Sequence, residues 1–114
     1  MNKPSLRTIT LAVAVMVPTW AGAAGSPEAG ENKAQSCVAC HGAKGANPIQ
    51  DSYPILAGQH ADYLRHTLKA YRSGERENAI MNGLAKTLSD QDIADLAAYF
   101  AEQTSPLTVV GKGE

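Results

Sequence analysis

Bulky aromatic side chains are scarce, with one Trp, one Phe and four Tyr among 114 residues. The single Trp20 lies in an N-terminal segment expected to be removed, so the remaining domain keeps only Tyr53, Tyr63, Tyr71, Tyr99 and Phe100. So little bulk makes a marginal core for a chain of this size. Something other than side chains is therefore expected to supply apolar volume. Cysteine is nearly absent: Cys37 and Cys40 exclude a disulfide-rich scaffold and a closed four-cysteine zinc site. Positive charge is not in excess, with ten Lys and Arg against eleven Asp and Glu. The clustered basic footprint of a nucleic-acid binder is missing. No apolar run is long enough to span a bilayer comfortably. No segment alternates convincingly as a strand, which predicts an all-α domain.

What is present begins with an export pattern. Lys3 and Arg7 form a short positive region, and the apolar run Ile9 to Val17 follows, broken only by Thr10. Ala21-Gly22-Ala23 then supplies small residues at a cleavage site. This predicts a cleaved signal peptide over 1–23 and a periplasmic mature chain. Cleavage there leaves 91 residues with eight basic and eleven acidic side chains. The domain is expected over 24–105, with a flexible tail over 106–114.

Helical period is readable in four stretches. Pro27 to Cys40 is predicted as one helix, with Glu28 and Glu31 in its first turn and small residues Gly30, Ala34 and Cys37 on one face. Gly42 to Gly58 has no period and is predicted as a loop wrapping a ligand. His60 to Ser73 places Tyr63, Thr67, Leu68 and Tyr71 on one face, and Gly74 is its stop signal. Ala79 to Leu88 is a shorter helix carrying Met81. Ser89 to Asp92 resembles a capping box with Asp in the fourth place, opening a helix to about Gln103. Its apolar stripe is Ile93, Leu96, Ala97 and Phe100, with Tyr99 beside it.

Cys37-Val38-Ala39-Cys40-His41 carries the chemistry. Two thiols at this spacing can add to the two vinyl groups of a haem, and the next residue brings an imidazole to the iron. A thioredoxin-like pair would need strands alternating with helices. Half a zinc site would need a second pair of ligands, and a structural disulfide leaves His41 unexplained. The export signal and the missing core volume favour one covalent haem c. Met81, His60 and His66 compete for the iron's other face. Met81 is favoured, because a thioether is a standard ligand in electron transfer; the histidines remain the alternatives.

The ordered set CVACHG (37–42), PILAGQ (54–59), Tyr63-Leu64 through Arg72-Ser73-Gly74, Asn78 to Met81 and LSDQDIADLAAYF (88–100) resembles the class I cytochromes c. It is closest to the periplasmic bacterial subgroup that includes the dihaem cytochromes. With one C-x-x-C-H the chain resembles half of such a protein. The resemblance implies three to five helices around one haem. It implies that the Pro54 carbonyl accepts a hydrogen bond from His41 Nδ1, that Leu56 packs on the haem, and that Gly30 meets Leu96 and Tyr99 where the first and last helices cross. Tyr71 is expected to pack on the haem rather than bond a propionate. Arg76 lies either near a propionate or free in solvent. The expected function is one-electron transfer between redox proteins, such as a quinol-oxidising complex, a terminal oxidase or a reductase. The expected state is a monomer or a subunit of a redox complex. A haem enzyme or gas sensor is the competing class if Met81 does not bind iron.

Overall fold

The computed structural model describes residues 24–107, and within them five α-helices and no strand are found. The expected signal at 1–23 and the part of the expected tail beyond Leu107 lie outside the described residues.

α1 (Pro27–Lys33) starts where Ser26 caps it, the Ser26 hydroxyl accepting from the Ala29 N–H. α2 (Gln35–His41) follows after a single residue. The expected continuous helix from Pro27 to Cys40 is thus two helices. The cause is a tight turn at Ala34, whose N–H bonds back three residues to Glu31 and whose ψ is −4°. Ala34 is almost fully buried, so the kink sits in the core. A 3-10 turn over Ala43–Gly45 adds local order to the predicted loop.

α3 (Ala61–Ser73) ends at Gly74, whose φ of 83° is the left-handed value that glycine supplies without strain. α4 (Ala79–Ala85) is capped by the Asn78 side chain, which accepts from the Ile80 and Met81 N–H groups. It stops at Ala85 rather than running to Leu88, and the extended Ser89 (ψ 169°) then opens α5 (Asp90–Ala101). The capping box is complete. The Ser89 hydroxyl accepts from the Asp92 N–H at 3.0 Å, and the Asp92 carboxylate accepts from the Ser89 N–H at 2.9 Å. α5 ends at Ala101, two residues short of the expected end.

α5 is the axis of the fold, with α1 and α3 packed against it and α4 against α3. At the α1–α5 crossing a Cβ on Gly30 would lie 2.1 Å from the Asp95 carbonyl oxygen and 2.6 Å from Tyr99 Cβ. Tyr99 is there as expected, and the nearest atom is the Asp95 carbonyl oxygen. Leu96 is buried in the core. Asp95 locks the crossing: its buried carboxylate accepts from the Ser26 N–H (2.8 Å), Lys33 Nζ (2.6 Å) and Gln91 Nε2 (2.8 Å). The core itself is thin. Its large buried side chains are Leu64, Ile93, Leu96, Tyr99 and Phe100, and the remaining apolar positions are alanines.

Candidate functional site: a haem cavity

The thin core leaves a cavity of about 590 Å³ between the helices. Cofactor-sized ligands occupy cavities of roughly 300–1,000 Å³. Its wall is mainly apolar, from Leu56, Leu64, Leu68, Leu88, Leu96 and Phe100.

The eight site residues favoured from the sequence all line this cavity. Cys37, Cys40 and His41 come from α2, Pro54 and Leu56 from the following loop, Tyr71 from α3, Arg76 from the α3–α4 connection and Met81 from α4. His60 and His66 are exposed and are not among its lining residues. Tyr53, Gln59, Tyr63 and Thr67 also line it and were not singled out. The signal for Tyr63 and Thr67 was present in the helical period, which put them on the Tyr71 face of α3.

His41 is buried, and its Nδ1 lies 2.7 Å from the Pro54 carbonyl oxygen. A carbonyl can only accept, so Nδ1 carries the proton and Nε2 keeps the lone pair that a metal needs. The loop that brings Pro54 back is pinned at its base. The Leu56 and Ala57 N–H groups donate to the Gly45 carbonyl, and the Ile49 N–H donates to the Cys40 carbonyl. Gly45 has φ 72°, and a Cβ there would press on Phe100 and Leu56 at under 3 Å. The tight turn thus lets the loop lie on α5.

Burial pushes the Cys37 thiol above its ordinary value, while the Ser36 hydroxyl pulls the other way. Reactive redox cysteines have their thiol shifted the other way, and the described residues hold no strand, so a thioredoxin-like role does not fit. Two thiols that line a cofactor-sized apolar cavity, with an adjacent buried imidazole of fixed tautomer, fit a covalently held haem. The apolar wall supplies the volume that the side chains lack.

Three comparisons agree with this fit. The family model described as cytochrome c matches residues 27–104. Cytochrome c-554(548) of Halomonas halodenitrificans is 49% identical over 83 residues, covering 70% of this chain and 99% of that protein. Cytochrome c4 of Pseudomonas aeruginosa is 49% identical over 83 residues, covering 73% of this chain and 41% of its own length. The crystal structure of reduced recombinant cytochrome c4 from Pseudomonas stutzeri superimposes with a TM-score of 0.68 at 38% identity, covering 74% of this chain and 48% of that one. The chain thus spans nearly the whole of the Halomonas protein but less than half of either cytochrome c4.

Proposed function

The chain belongs to the cytochrome c family and carries one covalently bound haem c, and on that premise we propose that it is a one-electron carrier of the periplasm with His41 and Met81 as axial ligands. Family membership and the cytochrome c4 relatives support an electron carrier. The observation that carries the finer reading is one cavity lined by Cys37, Cys40, His41 and Met81 together, with His60 and His66 outside it.

When bound, the haem supplies the Fe(III)/Fe(II) couple. The residues do the rest. Cys37 and Cys40 tether it as thioethers. The hydrogen bond from His41 to Pro54 orients the imidazole and raises its basicity. The Met81 thioether favours the reduced state. Leu56 and Tyr71 would pack against the bound haem, and Arg76 would lie near one of its carboxylates. With His41 and Met81 both on the iron, no site would be left open to a diatomic ligand, which favours a carrier over an enzyme or gas sensor.

In this reading residues 1–23 are the cleaved export signal and 24–105 the cytochrome domain, with 106–114 as its tail. Among the described residues, no helix is long and apolar enough to cross a membrane. Partners are a redox donor and an acceptor, such as a quinol-oxidising complex, a terminal oxidase or a reductase. The protein works as a monomer or as a subunit of a redox complex.

Met81→Ala tests the assignment. The variant is expected to lose the long-wavelength absorption of thioether-ligated ferric haem, to show a lower reduction potential and to bind carbon monoxide, which the parent resists. An unchanged spectrum and potential would remove Met81 from the iron.

A further inference from the structure

Met81 rides on a helix with little apolar hold of its own on the protein. α4 has seven residues, too few to stand as an isolated helix in water. Ala85 is its one buried residue, while Ile80, Met81 and Leu84 line the haem cavity. The side chain next to Met81 supplies a polar hold. Asn82 Nδ2 donates to the Tyr71 carbonyl at 2.6 Å and to the Arg76 carbonyl at 2.8 Å. Asn82 Oδ1 accepts from the Asn78 N–H at 2.7 Å.

Both N–H groups of the amide and its oxygen are thus engaged. The reverse orientation would set an oxygen against two carbonyl oxygens, so only this one satisfies the partners. Tyr71 belongs to the last turn of α3, where carbonyls lack partners farther along the helix. Arg76 lies in the α3–α4 connection, and Asn78 caps α4. One side chain therefore ties the end of α3, the connection and the start of α4 to a single point. Met81 sits inside this tie: its N–H donates to Asn78 Oδ1 at 3.0 Å, and Asn82 is the next residue.

Resting on the reading of Met81 as an axial ligand, we propose that Asn82 is its positioning residue: the amide clasp fixes α4 against α3 and so keeps the Met81 sulfur on the iron. A thioether leaves its metal only when the segment that carries it can move away. The clasp opposes that movement, because three hydrogen bonds hold the segment at once. Asn82 thereby sets how often the sixth position opens to a small ligand from solvent.

Cyanide binding to the purified ferric holoprotein tests this. At saturating cyanide the rate is limited by how often Met81 leaves the iron. Asn82→Leu keeps the size of the side chain and removes all three hydrogen bonds. It is expected to raise that rate on the order of tenfold. Asn82→Gln keeps an amide one methylene farther out and should raise it less; it carries the test if Asn82→Leu does not fold. In a Met81→Ala background Asn82→Leu should add nothing, because Asn82 acts through Met81. Gly30→Ala, at the α1–α5 crossing, is the control for lost stability: it should melt lower with the cyanide rate unchanged. Unchanged rates in the Asn82 variants, an equal rise in Gly30→Ala, or a further rise in the Met81→Ala background would each overturn the role of Asn82. The ligand reading is judged separately, by the spectrum of Met81→Ala alone.

Discussion

The two faces of α5 are built on opposite plans. Toward α1 the surfaces touch backbone to backbone: Gly25 and Gly30 leave no room for a Cβ against the Ala94 and Asp95 carbonyls, and Asp95 ties α1 down with two hydrogen bonds, from the Ser26 N–H and Lys33 Nζ. Toward α3 and α4, Leu96, Ala97 and Phe100 look onto a cavity of about 590 Å³. The first face is complete with protein alone. The second is completed by a cofactor. Stability on the first face therefore depends on close backbone packing, and on the second it depends on haem attachment.

Removing the haem is the severest way to break this contrast. At roughly 24 cal/mol per Å³, an unfilled cavity of about 590 Å³ costs on the order of 14 kcal/mol. That is an upper bound, since water enters an open cleft. It still matches the whole stability of a typical domain, about 5–15 kcal/mol. Cys37→Ala with Cys40→Ala is expected to abolish the cooperative melt and to leave no haem on the chain after acid–acetone extraction. A variant that melts cooperatively without haem would show that the cavity side stands alone.

The closed face is broken by a single methyl group. Gly30→Ala places a Cβ 2.1 Å from the Asp95 carbonyl oxygen, and backbone on both sides must shift. The expected cost is about 1–3 kcal/mol or more, read as a lower melting temperature with an unchanged haem spectrum. An unchanged melting temperature would contradict the crossing.

Acid should loosen the same face by a smaller amount. Hydrogen bonds from Lys33 hold the Asp92 and Asp95 carboxyls below the ordinary carboxylate range, with further help from Ser89 for Asp92 and from Ser26 and Gln91 for Asp95. Their folded values are depressed, so their contribution is full above the unfolded value of about 3.9. It fades as pH falls through the folded values. The melting temperature should drop on acidification below about pH 4, and Asp95→Asn should flatten that slope. Equal slopes in parent and variant would show that Asp95 carries no such linkage.

The smallest effect comes from the open side. Gly83 lies inside α4 with nothing near the position of a Cβ. Gly83→Ala is expected to raise stability by about 0.5–1 kcal/mol, measured by the same melts. Glycine substitutions in two helices of one small domain would then act with opposite sign.

Much of this was legible in the residue order because it is local. Ser89 and Asp92 cap α5 through bonds spanning three residues, and Gly74 stops α3 by its own φ. The C-x-x-C-H spacing puts both thiols and the imidazole on one short helix, and the shortage of aromatic side chains foretold a hollow core. Helical period put Tyr63, Thr67 and Tyr71 together. Each of these follows from spacing along the chain, which folding cannot alter.

Only the tertiary structure decided the rest. Asp95 drew no expectation from the residue order; its burial is supported by Ser26 and Lys33, more than sixty residues away in the chain, which arrive to donate to it. Gly30 meets Asp95 because the angle of the helix crossing selects which turn of α5 it touches, and no local period encodes that angle. The chain bends at Ala34 as its N–H turns back to Glu31, separating α1 on α5 from α2 at the cavity. Met81 joins His41 in one cavity, across forty residues, because α4 packs on α3 and α3 on α5. Spacing settles what a short segment can do alone, and packing settles which distant groups meet, since the cost of burying charge or leaving volume empty is felt only once the helices close.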